Sequence, residues 1–272
     1  MNSFKNKVVV ITGGASGIGR ALAQQLAREG ARLAIADVDE ACLNETEREL
    51  TERGGEVYGQ CLDVADREAV YDFSERVIGH YGAVDVVINN AGMVMDAVGV
   101  EKLAYADFER VMDVNLWGVV NSSKAFLPHL LKRSEASLVN VSSAYGLCAM
   151  PMQTAYSTSK FAVRGFTEAI RQELRDTPVK VMVVFPGGVK TNLVRNMLLV
   201  GEEGDAMDLD QMSAQLEKSV KTTAAEAAGV IIDGIKKKAT RVLIGDDARF
   251  MDQVVRKHPG KYGVMLQQRK RR

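Results

Sequence analysis

Short, nearly continuous apolar runs alternate with longer stretches of helical periodicity along the whole chain. Seven runs rich in β-branched residues predict strands over 7–12, 32–37, 56–63, 84–89, 137–142, 179–185 and 241–244. Strands this continuously apolar are covered on both faces, which is typical of a parallel sheet between two layers of helices. The pattern therefore predicts an α/β fold with a doubly wound, seven-stranded parallel sheet.

The stretches between the strands show helical periodicity. They predict helices over 17–29, 40–53, 67–81, 107–133, 154–176 and 224–237. Gly30 and Gly82 stand where helices one and three should end, and Thr223 with Glu226 forms a capping box for the last helix. One long stretch, from 187 to about 211, carries no clear pattern. Because loops of that length are often mobile covers of a site, we predict a substrate lid at about 187–215.

Composition fits one domain spanning residues 1–272. The chain is 46% hydrophobic, and its 35 Lys and Arg balance 35 Asp and Glu, so no strong field attracts nucleic acid or an anionic membrane. The basic tail at about 259–272 is an exception that we interpret as a solvated end. No apolar run reaches the roughly 20 residues that a membrane helix needs, and no signal segment is evident. We expect a cytoplasmic protein.

Cysteine and histidine usage indicates neither disulfides nor a metal site. Cys42, Cys61 and Cys148 form no close pair, and the three histidines stand at no metal-ligand spacing from one another or from a cysteine. We therefore predict no metal.

A glycine-rich turn follows the first predicted strand and opens the first helix. Glycines let the backbone approach a pyrophosphate, and a helix N-terminus offers free N–H groups to it. The spacing is Gly-x-x-x-Gly-x-Gly, and a tight structural turn is the alternative interpretation. The candidate coenzyme-binding residues of this turn are Gly13, Ser16, Gly17, Ile18 and Gly19. Together with the strand and helix pattern, the turn predicts a Rossmann-like dinucleotide site.

Asp37 ends the second predicted strand, 18 residues after Gly19. A carboxylate at this place accepts hydrogen bonds from the adenosine ribose hydroxyls and repels a 2′-phosphate. No Lys or Arg occupies positions 13–19 or 38, so the sequence favours NAD over NADP. A solvated turn residue is the alternative role for Asp37.

Further candidates follow the third and fourth strands. Asp63 and Val64 could meet the adenine amino group and the edge of the adenine ring. Asn90, Ala91 and Gly92 could let the chain pass close to the ribose, although an ordinary strand-to-helix turn would use the same residues. Ligands of parallel sheets bind at the carboxyl ends of the strands, which favours the binding role.

Tyr156 and Lys160 are four residues apart and so share one face of the fifth predicted helix. A neighbouring ammonium stabilises a phenolate, so we expect the tyrosine pKa to be lowered towards the range of efficient acid/base catalysis. Ser143, 13 residues earlier, could hold a substrate oxygen, or it could cap a loop. Asn115 is a poor helix former inside an apolar helix, and we predict a local kink there that orders a water near Lys160.

Over roughly residues 5–245 the chain resembles the single-domain short-chain dehydrogenase/reductases. The matching features are Thr-Gly-x-x-x-Gly-Ile-Gly, Asn-Asn-Ala-Gly, the set Asn115, Ser143, Tyr156 and Lys160, and Pro186-Gly187-x-x-x-Thr191. The resemblance implies that Tyr156 is the general acid/base and that Ser143 orients the carbonyl. It implies that Lys160 binds the nicotinamide ribose and that Asn115 completes a proton relay. It also implies that Pro186 and Gly187 bind the coenzyme and that Val189 and Thr191 contact its carboxamide.

Apolar residues flank these motifs and predict an adaptable apolar substrate pocket. With Ser143 and Tyr156, we expect it to include Met93, Met150, Gly188, Leu193 and Met197. The sequence thus predicts an NAD(H)-dependent oxidoreductase that acts on a secondary alcohol or ketone. The alternatives are a 3-oxoacyl-thioester reductase of the same family and a non-catalytic dinucleotide-binding regulatory protein. Substrate identity and direction are left open.

The long fourth and fifth predicted helices carry more apolar side chains than one sheet face requires, among them Val119, Phe126, Leu130 and Phe161. The family resemblance suggests that such helices pair across a two-fold axis, so we expect a homodimer or homotetramer.

Overall fold

The computed structural model describes residues 1–191 and 220–270, of which 267–270 are described for the backbone alone. Its strands are β1 (Val8–Thr12), β2 (Arg32–Asp37), β3 (Glu56–Cys61), β4 (Val86–Asn89), β5 (Ala136–Val141), β6 (Val179–Pro186), β7 (Val189–Lys190), β8 (Thr222–Thr223) and β9 (Arg241–Ile244). The α-helices that it describes are α1 (Gly17–Arg28), α2 (Glu40–Glu52), α3 (Arg67–Tyr81), α4 (Tyr105–Met112), α5 (Gly118–Leu130), α6 (Thr154–Glu173), α7 (Ala224–Lys236), α8 (Asp246–Lys257) and α9 (Tyr262–Lys270).

Seven of the strands form one parallel sheet in the order β3-β2-β1-β4-β5-β6-β9. The chain runs outward from β1 to β3 and then returns to place β4 on the other side of β1. This reversal opens a crevice at the carboxyl ends of β1 and β4, where doubly wound sheets bind their ligands. β7 and β8 form a separate two-stranded parallel ladder beside the sheet. The predicted doubly wound, seven-stranded sheet is confirmed.

Two buried apolar layers, one on each face of the sheet, explain why the strands are continuous apolar runs in the sequence. Val9 and Ile11 of β1 face a layer that includes residues of α1 and α7, whereas Val8 and Val10 face a layer that includes residues of α3 and α5. Both sets are fully buried because side chains of a strand alternate between faces and both faces are covered. This rigid sandwich holds the strand ends in fixed positions.

The strand and helix bounds lie close to those predicted, and the capping box at Thr223 and Glu226 is present. One predicted helix was wrong in form. The span 107–133 is broken into α4, a π-helical turn over Asp113–Trp117, and α5. The apolar spacing continues through this turn, so periodicity alone does not reveal the extra residue.

The carboxyl-terminal part of the chain is more ordered than the sequence indicated. No helix was predicted after 237, but α8 and α9 follow β9. The tail that we interpreted as a solvated basic end forms α9 up to Lys270, and the burial of Leu266 gives this helix a packed side. The predicted lid falls largely outside the described residues. Within 1–191 and 220–270, no helix is both long and apolar enough to cross a membrane.

Candidate active site

The glycine turn lies between the end of β1 and the start of α1. Gly13 and Gly17 have positive φ angles of 65° and 52°, a backbone region that side chains disfavour. A Cβ at Gly19 would overlap the carbonyl oxygen of Gly13, and one at Gly17 would come within 3.1 Å of the Thr191 side chain. Because these glycines have no side chains, the backbone and the α1 N-terminus are open to a ligand, as a pyrophosphate site requires.

Asp37 ends β2 and points towards this turn. Its Oδ2 accepts a hydrogen bond from the Ala15 backbone N–H at 3.0 Å, and its Oδ1 accepts one from the Asp39 N–H at 3.2 Å. The carboxylate is thus held in one orientation beside the glycine turn. Such a carboxylate suits the two hydroxyls of a ribose.

Asn90 ties the glycine turn to the loop after β4. Its Nδ2 donates to the carbonyl oxygens of Thr12 and Gly13 at 3.2 and 3.0 Å. In return, the Thr12 hydroxyl accepts hydrogen bonds from the N–H groups of Asn90 and Ala91. The two loops that border the crevice are therefore fixed to each other.

Asp63 lies beyond the end of β3 and has a partner that the sequence did not suggest. Its Oδ2 accepts from the Arg110 guanidinium at 3.1 Å, while its Oδ1 accepts from the Ala65 N–H at 2.9 Å. Arg110 stands on α4, 47 residues away, and no spacing rule connects it to Asp63. The pair orients the Asp63 carboxylate at the same crevice.

Ser143 and Tyr156 meet at the other end of the crevice. Ser143 follows β5, and its Oγ accepts from the Tyr145 N–H at 3.1 Å. Burial raises the pKa of the Tyr156 phenol to about 12, although a hydrogen bond with Ser143 acts in the opposite direction. The Tyr145 ring packs edge-on against Tyr156 with 5.8 Å between ring centroids. The phenol and the serine hydroxyl can therefore act on one substrate oxygen.

Lys160 lies one turn further along α6 and is buried. Its Nζ is 5.7 Å from the centre of the Tyr156 ring and 3.3 Å from the Val141 carbonyl oxygen, to which it donates. Burial lowers the pKa of this ammonium to about 8. The expected lowering of the tyrosine pKa is not found in the protein alone, because burial raises the pKa of Tyr156 more than the hydrogen bond with Ser143 lowers it.

Asn115 sits in the π-helical turn, where the kink was predicted. Its side chain holds both backbone groups of Met93: Oδ1 accepts from the N–H at 2.8 Å, and Nδ2 donates to the carbonyl oxygen at 3.0 Å. Nδ2 also donates to the Ser159 hydroxyl at 3.0 Å, which in turn donates to the Tyr156 carbonyl oxygen. Asn115 thus joins the loop after β4 to α6.

These groups line one cavity of about 560 Å³. Nearly all predicted coenzyme residues border it, namely Gly13, Ser16, Gly17, Ile18, Asp37, Asp63, Val64, Asn90, Ala91, Gly92, Tyr156, Lys160, Pro186, Gly187, Val189 and Thr191. Gly19 does not line the cavity but gives the turn its space. The nucleotide and chemical halves of the predicted site are therefore brought together in one crevice.

The predicted substrate residues are only partly assembled. Ser143, Tyr156 and Met93 line the cavity, whereas Met150 and Gly188 do not. Leu193 and Met197 lie outside the described residues. Lining residues that the sequence did not single out are Val38, Asp39, Leu62, Arg110, Val114, Val141 and Ser142. Except for Arg110, each adjoins a predicted site residue or lies within two residues of one, which is the signal that could have found it.

The sequence model of the short chain dehydrogenase family matches residues 7–199. The chain belongs to this family. It is 44% identical over 259 residues to the protein named "Putative oxidoreductase SadH" of Mycobacterium tuberculosis, an alignment that covers 94% of this chain and 92% of that protein. This short-chain dehydrogenase is an oxidoreductase by family.

Solved structures of similar shape hold nicotinamide coenzymes. A short chain dehydrogenase/reductase from Burkholderia phymatum in complex with NAD superposes with a TM-score of 0.86 at 29% identity, covering 94% of this chain and 95% of that one. An alcohol dehydrogenase from the archaeon Thermococcus sibiricus, complexed with 5-hydroxy-NADP, gives a TM-score of 0.75 at 30% identity, covering 89% and 95%. The glycine turn of this short-chain dehydrogenase leaves its backbone and the α1 N-terminus open to a dinucleotide of this kind.

Proposed function

We propose that this protein transfers a hydride between NAD(H) and a secondary alcohol or ketone of apolar character. The observation that supports this most strongly is the shared cavity. Its lining includes the glycine turn and Asp37 of the nucleotide half together with Ser143, Tyr156 and Lys160 of the chemical half. A site that only bound a dinucleotide would not need a buried phenol, serine and lysine in the same crevice.

Asp37 favours NAD over NADP in this proposal. Its carboxylate would repel a 2′-phosphate, and the residue that follows is the exposed Val38, which offers no positive charge. Among the described residues that line the cavity, the cations are Arg110 and Lys160. Arg110 is paired with Asp63 and Lys160 is buried beside Tyr156, so neither is poised to hold a phosphate next to Asp37.

The coenzyme, when bound, supplies or accepts the hydride at its nicotinamide ring. Ser143 then holds the substrate oxygen by a hydrogen bond, and Tyr156 exchanges a proton with that oxygen. In the direction of ketone reduction the phenol must donate. A pKa of about 12 keeps Tyr156 protonated at neutral pH, so the group is ready to act as the acid.

Lys160 stabilises the deprotonated state of Tyr156 in this proton exchange. With a pKa of about 8, it is mostly charged at pH 7, and a cation close to the ring stabilises the phenolate that forms when the proton leaves. Asn115 holds Met93 and Ser159, and thereby keeps the loop after β4 against α6. Its role in our proposal is to position these elements.

The expected partner is a small alcohol or ketone, and we expect a cytoplasmic homodimer or homotetramer. Met93 lends the cavity an adaptable apolar wall next to the reacting groups.

The decisive experiment follows nicotinamide absorbance with purified protein, both coenzymes and a panel of alcohols, ketones and 3-oxoacyl thioesters. We expect turnover of an apolar alcohol or ketone with a lower KM for NADH than for NADPH. Tyr156→Phe should lower kcat by about 100-fold or more, because it removes the proton donor, yet bind NADH as before. Tyr58→Phe, which removes a phenol on β3 that bonds Gln60, is the matched control and should keep full activity.

Three results would contradict the proposal in different ways. An active Tyr156→Phe variant removes this residue from the chemistry. Coenzyme binding without turnover of any compound favours the non-catalytic alternative. Turnover confined to 3-oxoacyl thioesters with NADPH favours the acyl reductase.

A further inference from the structure

The segment 186–191 begins with the last residue of β6, includes β7 and forms one wall of the cavity. Pro186, Gly187, Val189 and Thr191 all line it. The segment is attached to the end of β9, because the Gly187 N–H donates to the Ile244 carbonyl oxygen at 2.9 Å. It lies close to the glycine turn, since a Cβ at Gly17 would come within 3.1 Å of the Thr191 side chain. Whatever fixes this segment therefore fixes one wall of the coenzyme crevice.

Asp247, in the first turn of α8, makes a second and closer attachment. Its Oδ2 accepts a hydrogen bond from the Gly188 N–H at 2.6 Å, although the two residues are 59 positions apart. A hydrogen bond to a carboxylate is stronger than one between neutral groups. The carboxylate therefore links α8 directly to the cavity wall.

Two glycines next to Asp247, Gly187 and Gly245, leave space for its carboxylate because they have no side chains. A Cβ at Gly187 would overlap both carboxylate oxygens, and the three atoms nearest to it all belong to Asp247. A Cβ at Gly245 would lie 2.5 Å from Oδ1. Because the Gly187 φ is not in the positive region, space for Asp247 is the reason in this structure for a glycine there.

The neighbouring Asp246 shows that position in α8 does not by itself explain this contact. Both carboxylates stand at the helix N-terminus, where the helix dipole favours negative charge. Asp246, however, is 97% exposed and pairs with Arg249 of its own helix. Asp247 alone of the two bonds the cavity wall.

We infer that Asp247 is a positioning residue that holds the segment 186–191 against the nicotinamide half of the coenzyme. The inference rests on the proposed function, which places a nicotinamide coenzyme in this crevice, and on the carboxamide contacts expected for Val189 and Thr191, both of which line it. It assigns a functional role to α8, which lies beyond the part of the chain matched by the family model. It requires that loss of Asp247 weaken contacts to the nicotinamide half and spare those to the adenosine half.

A comparison of ADP-ribose binding with NADH binding distinguishes contacts to the two halves, because ADP-ribose lacks the nicotinamide. We would measure both dissociation constants by calorimetry for the wild type, Asp247→Ala and the control Asp246→Ala. Asp247 is exposed, so water competes for its oxygens and the effect is moderate. We expect Asp247→Ala to raise the NADH Kd about fivefold and to leave the ADP-ribose Kd unchanged, while Asp246→Ala changes neither.

Asp247→Asn keeps an acceptor for the Gly188 N–H and should recover most of the NADH affinity. Equal weakening of both ligands by Asp247→Ala, or of neither, overturns the inference, as does an Asn variant as weak as the Ala variant. A wild type that binds ADP-ribose and NADH but turns over no carbonyl compound defeats the proposed reaction and leaves this inference standing. A wild type that binds neither defeats both.

A second-site experiment tests the geometry without relying on one variant. Gly187→Ala should weaken NADH binding because the new methyl group collides with the Asp247 carboxylate. In the double variant Gly187→Ala/Asp247→Ala the collision is gone, so its NADH Kd should be close to that of Asp247→Ala alone. Simple addition of the two effects would show that the side chains do not share this space and would overturn the inference.

Discussion

At the scale of single residues, the site combines two buried titratable groups, Tyr156 and Lys160, and burial shifts the pKa of each in the direction that favours its neutral form. Burial raises the pKa of Tyr156 to about 12 and lowers that of Lys160 to about 8, so at neutral pH burial favours neutral forms at both positions. The lysine still carries much of its charge at pH 7, and a buried cation costs stability. The lysine that we propose for catalysis therefore lowers the stability of the folded protein.

We therefore predict that Lys160→Met stabilises the protein while it abolishes turnover. Below pH 8 the lysine is charged in both the folded and the unfolded chain, and burial of the charge destabilises the fold in full. Between pH 8 and 10.5 the folded protein loses the proton first, so the unfolded chain binds more protons and wild-type stability rises with pH. The variant should be more stable at pH 7 by roughly 2 kcal/mol, with the difference shrinking across this window.

Urea unfolding of both proteins from pH 6 to 10.5 measures this difference, and Tyr156 is common to both and cancels. Lys124→Met, at an exposed lysine of α5, is the control and should show no such pH-dependent gain. A wild type that is more stable than Lys160→Met at pH 7 would contradict the prediction.

The residue scale also shows what spacing can and cannot predict. Tyr156 and Lys160 share a helix face because their separation sets it, and Asp37 ends a strand because the apolar run ends there. The direction of the tyrosine pKa shift was not predictable in this way. It depends on burial by chain segments that are distant in sequence.

At the scale of elements, the π-helical turn Asp113–Trp117 is the departure from the predicted pattern that bears on the site. A π turn inserts one residue into a helix and so rotates the side chains that follow it. Here the turn contains Asn115, whose amide is fully buried and bonds Met93 and Ser159. Apolar spacing predicted a continuous helix, and it was the misplaced polar residue that indicated the irregular turn.

We predict that Asn115→Ala lowers both stability and kcat. The change leaves the partly buried N–H and carbonyl of Met93 without their side-chain partner, which should cost about 2 kcal/mol in the free energy of unfolding. It also loosens the loop after β4 from α6, which carries Tyr156, so kcat should fall by about tenfold or more. Chemical unfolding and steady-state kinetics on the same preparation measure the two effects.

Asn121→Ala is a suitable control for this prediction. Asn121 is also a buried amide, in the following helix, but its side chain donates to the Val64 carbonyl oxygen instead of to a group on α6. We expect a loss of stability of about 1 kcal/mol with kcat nearly unchanged. If both variants lost kcat in proportion to stability, Asn115 would have a structural role alone.

At the scale of the whole molecule, the sheet was predictable and the tertiary contacts that complete the site were not. Continuous apolar runs with helices between them predict a doubly wound parallel sheet, because other arrangements leave apolar strand faces exposed. By contrast, Asp247 meets Gly188 and Arg110 meets Asp63 across 59 and 47 residues. Such pairs depend on how α8 and α4 dock, and no local spacing encodes that.

Oligomeric assembly also belongs to this scale, because residues buried in the protein's own core cannot form an interface between copies of the chain. The excess of apolar residues expected in α5 and α6 is mostly absorbed by the protein's own core, since Val119, Phe126 and Leu130 are buried. That part of the sequence argument for a dimer was wrong. The π turn and α6 contact each other, and each leaves one large apolar side chain exposed, Trp117 at 46% and Phe161 at 39%.

We predict that the wild type is a homodimer or homotetramer that buries Trp117 and Phe161, because exposed aromatic side chains on adjoining elements favour association. Phe161→Glu places a charge that would be desolvated at such an interface, and it should give monomers at micromolar concentration in light scattering. Val100→Glu, at an apolar residue that is 66% exposed elsewhere, should leave the wild-type mass unchanged. A monomeric wild type would contradict the prediction, and an oligomeric Phe161→Glu variant would place the interface on another face. Because Phe161 immediately follows Lys160 on α6, a true interface here would also brace the helix that carries the reacting groups, and the monomeric variant should then lose kcat together with its partner.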